Sequence, residues 1–177
     1  MLKNPEKITY EQIKQTIEAI PSLEDRALAS FAYATGARVS ELLQITPADL
    51  YFGQEDEKDY LFIICVVLKK RKLPLPTRKA LVRLDEEWLI KPMVSYANMI
   101  GEGKLFNFCR ATAHRHLIRA VIINGEPINP HGFRKLRATH LRRYFNFDSY
   151  QLKKFFDWAS IKPSEYYVGL DSRDIMY

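Results

Sequence analysis

Apolar residues recur at helical spacing through the first forty positions. Ile13, Ile17 and Ile20 fall on one face, and Thr9 followed by Gln12 forms a capping box, so a first helix is predicted from about Thr9 to Ile20. Ser22 opens a second helix that turns Leu28, Phe31 and Ala32 inward and ends at Gly36, a residue suited to a left-handed C-cap. Val39 to Ile45 predicts another short helix. The period then changes: Asp59 to Leu68, rich in Ile, Val, Phe and Tyr, reads as a strand, with Lys79 to Leu84 as its partner. Pro74 and Pro76 would not be tolerated in a central strand, which puts Lys69 to Thr77 in the hairpin loop. An acidic loop before Asp59 connects to a short strand expected near Asp49 to Phe52. Helical spacing returns over Glu86 to Met99, Thr112 to Asn124 closed by Gly125, Pro130 to Phe145, and Tyr150 to Trp158. Asn129 before Pro130 is a strong start signal, because proline at the first helical position forfeits no intrahelical bond.

The pattern gives an α+β fold, mostly helical, with a small antiparallel β-sheet. No repeat, linker or low-complexity stretch divides the chain, so residues 1–177 are expected to form a single domain. A hydrophobic content of 47% suffices for a core. The longest apolar run, Tyr60 to Leu68, is far short of the roughly 20 residues of a membrane helix, and no charged-then-apolar leader opens the chain. A soluble cytoplasmic protein with no membrane partner is expected.

Cys65 and Cys109 lack the short spacings of a zinc or redox motif and are expected to be buried free thiols. His114 and His116, two residues apart on a helix, face different directions and read as surface histidines, so no metal is expected. Positive charge changes the picture more. Lys and Arg number 27 against 21 Asp and Glu, a formal charge of +6. The basic residues gather at Lys69 to Lys72, Arg110 to Arg119 and Arg134 to Arg143, which suits a polyanionic partner, although any single cluster is also what a solvated surface looks like.

Three distant segments carry candidate chemistry: TGARVSELLQIT around Arg38, PHGFRKLRATHL from Pro130, and FDWASIKPSEYYVGL near the end. Arg38 stands at a helix start, where an arginine is unfavourable unless an anion joins it. His131 and Arg134 are three residues apart, on one face of a helix, and combine a titratable imidazole with a planar fork for phosphate oxygens. Together, in this order and spacing, the segments resemble the tyrosine recombinase family of phage-type integrases over about Lys7 to Leu170. The Trp158 variant is similar to that of the Cre and Flp recombinases and some archaeal integrases.

The resemblance implies a set of roles. Arg38 and Arg134 would be the catalytic arginines, with His131 beside them. Glu41 would support the first arginine's helix, or be no more than its intrahelical partner. Trp158, nine residues before Tyr167, would donate a hydrogen bond to a phosphate oxygen, or simply pack in the core. Tyr167 would be the nucleophile, since SEYY aligns Ser164 with the family's TxxY threonine and leaves Tyr166 as the neighbour. Lys69 is favoured as the family's hairpin lysine, with Lys70 and Lys72 as alternatives. His140 reads as a core histidine that bridges helices.

The reaction so implied is site-specific DNA recombination: cleavage through a 3′-phosphotyrosyl intermediate and rejoining to another strand's 5′ hydroxyl, with no cofactor or metal. The partners implied are double-stranded DNA and further copies of the chain, as a tetramer on DNA. Few residues precede the first helix, so the N-terminal clamp domain of full-length members is expected to be absent. A type IB topoisomerase and a catalytically inactive DNA-binding module are the alternatives.

Overall fold

The computed structural model describes residues 4, 7–70 and 73–167, with Lys70 described by its backbone alone. Local signals set most helix ends. Helix α1 (Tyr10–Glu18) begins at the Thr9–Gln12 capping box, and α2 (Leu23–Thr35) begins at Ser22, whose side chain accepts from the Asp25 amide. Gly36 closes α2 at φ 55°, the left-handed conformation that favours glycine. Nine consecutive residues of α2, Ala27 to Thr35, are buried, so this helix is hydrophobic all round and lies at the centre. Around it pack α4 (Glu87–Ile100), α5 (Arg110–Ala120) and α6 (Pro130–Phe145). Helix α6 starts where the Asn129–Pro130 pair says it should, with the Asn129 side chain accepting from the Gly132 amide. Caps of this kind contribute about 1 kcal/mol each. They fix where helices begin, while the apolar faces decide how they pack.

Three strands, β1 (Leu50–Glu55), β2 (Lys58–Val66) and β3 (Thr77–Arg83), form one antiparallel sheet in chain order. Leu61 pairs with Val82, Ile63 with Ala80 and Cys65 with Arg78, and all six are buried on the face toward α2. The loop between β2 and β3 carries a single 3₁₀ turn at Leu68–Lys70. Helix α7 (Ser149–Phe156) packs on β3, and a last helical turn spans 162–167.

His140 is fully buried and bridges as expected. The Tyr33 hydroxyl donates to its Nδ1 (2.8 Å), and its Nε2–H donates to the Ile8 carbonyl (2.7 Å). Among the described residues no helix is long and apolar enough to cross a membrane.

Four local expectations are corrected. The helix expected over Thr112 to Asn124 spans Arg110–Ala120, and a hairpin succeeds it: β4 (Ile122–Ile123) pairs with β5 (Glu126–Pro127). Asn124 and Gly125, at φ 54° and 77°, are its turn rather than a helix cap. Helix α3 (Val39–Leu42) is one turn long and stops short of Ile45. Trp158 lies beyond α7, which ends at Phe156 before Asp157 in a left-handed conformation. Cys65 is buried, but Cys109 is exposed at the N-cap of α5.

Candidate active site

The sequence candidates converge where the C-terminal ends of α2 and α7, the start of α3 and the β2–β3 loop meet. Arg38, Lys69 and Trp158 line one cavity of about 230 Å³, together with Glu41, Arg78 and Phe156. Arg38 and Lys69 are exposed and Trp158 is half-buried. Arg134 enters from α6, its guanidinium carbon 5.9 Å from the Trp158 ring centroid and 4.9 Å from that of Phe156. The Tyr167 ring lies parallel to Trp158, with centroids 5.9 Å apart and planes 1° apart. His131 stands in the first turn of α6, exposed, and feels the charges of both Arg134 and Arg38. Of the alternative lysines, Lys72 lies outside the described residues.

Each side chain is held differently. Arg38 caps α3, but a one-turn helix has little dipole, so the helix-terminus argument for its placement does not carry. Its anchor is Glu41, which is 2% exposed. Glu41 accepts from the Arg38 Nη1 (3.1 Å), from the Arg38 backbone amide (3.1 Å) and from the Leu68 amide (3.3 Å). It is therefore more than an intrahelical partner. One buried carboxylate joins α3 to the residue immediately before Lys69, and fixes the loop relative to Arg38.

Arg134 is 8% exposed, and among the described residues its hydrogen bonds go to carbonyls rather than to a carboxylate. Its two Nη groups donate to the carbonyls of Gly36 (2.7 Å) and Phe156 (3.1 Å). Burial, then the charges of Arg78 and Arg38, push its pKa down to about 10. The charges of Glu41 and Tyr167 oppose the shift without cancelling it, and at neutral pH the guanidinium keeps its proton and its positive charge. A bound anion would compensate it.

Burial, followed by the charges of Lys135, Arg134 and Arg38, also lowers the His131 pKa below its ordinary value. The imidazole is thus neutral at pH 7 and able to accept a proton. Tyr167 moves the other way. Burial first, then Tyr166, raise its pKa to about 12, and the opposing pull of Arg134 is outweighed. The charge of Arg134 alone therefore does not activate this hydroxyl, and its attack calls for a proton acceptor. Tyr166 is 56% exposed, and its ring stands at 81° to that of Tyr167. Ser164, at the TxxY threonine position, is fully buried, and its hydroxyl makes no hydrogen bond among the described residues.

Arg78 was not anticipated. It is 7% exposed, lines the cavity and donates to the Phe155 (2.8 Å) and Thr35 (2.7 Å) carbonyls. A signal was present, since Arg78, Ala80 and Val82 alternate on the inward face of β3, and an inward arginine in a strand needs buried partners.

Comparison with known proteins adds the family. Residues 6–173 match the Phage integrase family. The chain is 26% identical to "Tyrosine recombinase XerD" of Halalkalibacterium halodurans over 137 residues, 75% of this chain and 39% of that protein. It therefore spans about two fifths of the length of this curated relative. The fold is similar to that of the XerA recombinase crystal structure, at TM-score 0.67 and 21% identity over 90% of this chain and 58% of that one. It is also similar to the XerH site-specific recombinase bound to palindromic difH substrate in a post-cleavage complex. There the TM-score is 0.66 and the identity 18%, over 93% of this chain and 49% of that one.

Proposed function

The chain belongs to the Phage integrase family, and from that premise we propose that it catalyses site-specific DNA recombination by cutting and rejoining strands through a phosphotyrosyl intermediate. The observation that carries this reading is the meeting of Arg134, which binds carbonyls and no carboxylate among the described residues, with Trp158, which stacks on Tyr167 and lines one cavity with Arg38 and Lys69. A DNA phosphate supplies the missing negative charge. The complex of XerH with its substrate, in a protein of similar fold, supports DNA as the ligand.

The chemistry balances without a metal or nucleotide. The Tyr167 hydroxyl oxygen attacks phosphorus and loses its proton to neutral His131, while the bond from phosphorus to the 5′ oxygen breaks and Lys69 protonates that oxygen. The product is a 3′-phosphotyrosyl chain and a free 5′ hydroxyl. Arg38 and Arg134 neutralise charge on the nonbridging oxygens, and the Trp158 indole N–H donates to one of them. Rejoining runs the steps in reverse with a 5′ hydroxyl from the other duplex. Exchange between two duplexes cuts four strands, so four copies of Tyr167 act together, which makes a tetramer on DNA the working assembly.

A nicked DNA substrate that loses a short fragment on cleavage traps the intermediate. Wild-type protein is expected to form a covalent adduct resolved on a denaturing gel. Tyr167→Phe forms none while binding stays nearly intact, and Tyr166→Phe still forms it. An adduct that survives Tyr167→Phe and disappears with Tyr166→Phe moves the nucleophile by one residue. No adduct from the wild type leaves a DNA-binding module, and resealing of the same strand alone would indicate topoisomerase-like chemistry.

A further inference from the structure

Two buried arginines divide four helix-end carbonyls between them. Helix α2 ends in the carbonyls of Thr35 and Gly36, and α7 ends in those of Phe155 and Phe156. Arg134 takes Gly36 and Phe156, while Arg78 takes Thr35 and Phe155, each at 3.1 Å or less. Each guanidinium therefore spans both helices and binds one carbonyl from each. Helix C-termini leave carbonyls without intrahelical partners and carry partial negative charge, so two cations here satisfy four acceptors without any carboxylate. The seam is tight as well. A Cβ on Gly36 would sit 2.5 Å from the Phe156 ring and 3.5 Å from the Arg134 Cα. Two residues beyond Phe156, the Trp158 amide donates to the Lys153 carbonyl, so the tryptophan leaves α7 in a direction that the helix end dictates.

We infer that Arg78 is a positioning residue for the proposed reaction: by holding the Thr35 and Phe155 carbonyls it fixes the adjoining Gly36 and Phe156 carbonyls, and through them the plane of the Arg134 guanidinium. The inference rests on the phosphotyrosyl reading of the site. Its physical basis is that a planar peptide leaves two soft torsions per residue, so a carbonyl anchored next door has little freedom of its own. Arg134 is gripped at both Nη atoms, which directs the remainder of its fork. Without Arg78 the two helix ends lose one of their two bridges, and the Arg134 fork follows whichever helix moves. Lysine at position 78 keeps the charge but lacks the planar fork that spans two fixed carbonyls. Arg78 also lines the phosphate cavity, and its charge acts on Arg134, so both geometry and potential at Arg134 depend on it.

The test uses the full chain and the same nicked DNA, with cleavage measured in single turnovers at saturating protein, well below each variant's unfolding midpoint. Arg78→Lys and Arg78→Met are expected to bind DNA almost as the wild type does and to cleave on the order of ten- to a hundredfold more slowly, the loss that a small misplacement of a reacting group brings. Arg78→Met combined with Arg134→Ala is expected to be no slower than Arg134→Ala alone, because a residue that acts through Arg134 has nothing left to position. Wild-type cleavage by a folded Arg78→Lys or Arg78→Met protein overturns the inference, and so does a double variant slowed by the product of the single effects. If Arg78→Met does not fold, Arg78→Lys alone and with Arg134→Ala decides by the same criteria. A wild type that forms no adduct overturns the reaction itself, and the positioning role with it.

Discussion

Arg134 and Arg137 stand one turn apart on α6, both buried, yet their charges are treated in opposite ways. Arg137 is 0% exposed and meets the Glu86 carboxylate with both Nη atoms, at 2.7 and 3.0 Å. Its guanidinium also lies 5.0 Å from the Tyr33 ring and 5.5 Å from that of Phe145. Burial pushes the Arg137 pKa down, but Glu86 and Tyr33 outweigh it and the net direction is up. Arg134 is only slightly more exposed, binds carbonyls in place of a carboxylate, and its pKa goes down. One arginine is neutralised within the protein and serves the fold. The other is held in place but left charged, and a side chain of that kind is ready for a ligand.

The contrast breaks down if either arginine behaves like the other. The largest effect is expected at Arg137→Ala. Removal of one partner strands a buried carboxylate at Glu86 and costs about 3–5 kcal/mol, read from urea unfolding. Cleavage by the fraction that remains folded should be close to wild type, and a specific loss of rate would give Arg137 a part in the reaction. Next comes Arg134→Ala. Loss of one preorganised charge donor should slow adduct formation on the order of a hundredfold. DNA affinity should fall much less, and an equal loss in binding would make Arg134 a general phosphate anchor.

The smallest effect concerns pH. If neutral His131 takes the Tyr167 proton, cleavage rises with pH through the lowered His131 pKa and then levels off. Arg134 is one of the charges that hold that pKa down. Arg134→Ala should therefore shift the inflection upward, toward the ordinary histidine value, while Arg137→Ala leaves it in place. An inflection that ignores Arg134, or a rate that keeps climbing toward the raised pKa of Tyr167, would remove His131 from the role of base.

How much of the fold was legible in the sequence depended on the range of the interactions involved. The Thr9–Gln12 box, Ser22, Gly36 and the Asn129–Pro130 start act within a few residues, and each marks its helix end correctly. Asn124–Gly125 is equally local, but both residues suit a helix cap and a tight hairpin turn alike. The choice was made by pairing across the turn, where Ile122 meets Pro127 and the Ile128 amide reaches the Val121 carbonyl. Buried charges were the hardest to foresee. Glu86 and Arg137 are 51 positions apart, and Arg78 reaches carbonyls 43 and 77 positions away. Charged residues with such distant partners look like any surface residues until the chain has folded. The site candidates were legible because family motifs record what local pattern cannot, while the means by which Glu41 and Arg78 hold the site were not.

The unequal settings of the two cysteines have a practical side. Burial raises the Cys65 pKa to about 11, whereas hydrogen bonding from Thr112 lowers that of exposed Cys109. Thiolates are the form that maleimides attack, so a fluorophore added near neutral pH goes to Cys109 in preference to Cys65. Cys109 borders a shallow hollow shared with Ser40 of α3 and with Leu68, which directly precedes Lys69. The native sequence therefore offers an attachment point for an optical reporter beside the loop whose engagement with a substrate one would most want to watch.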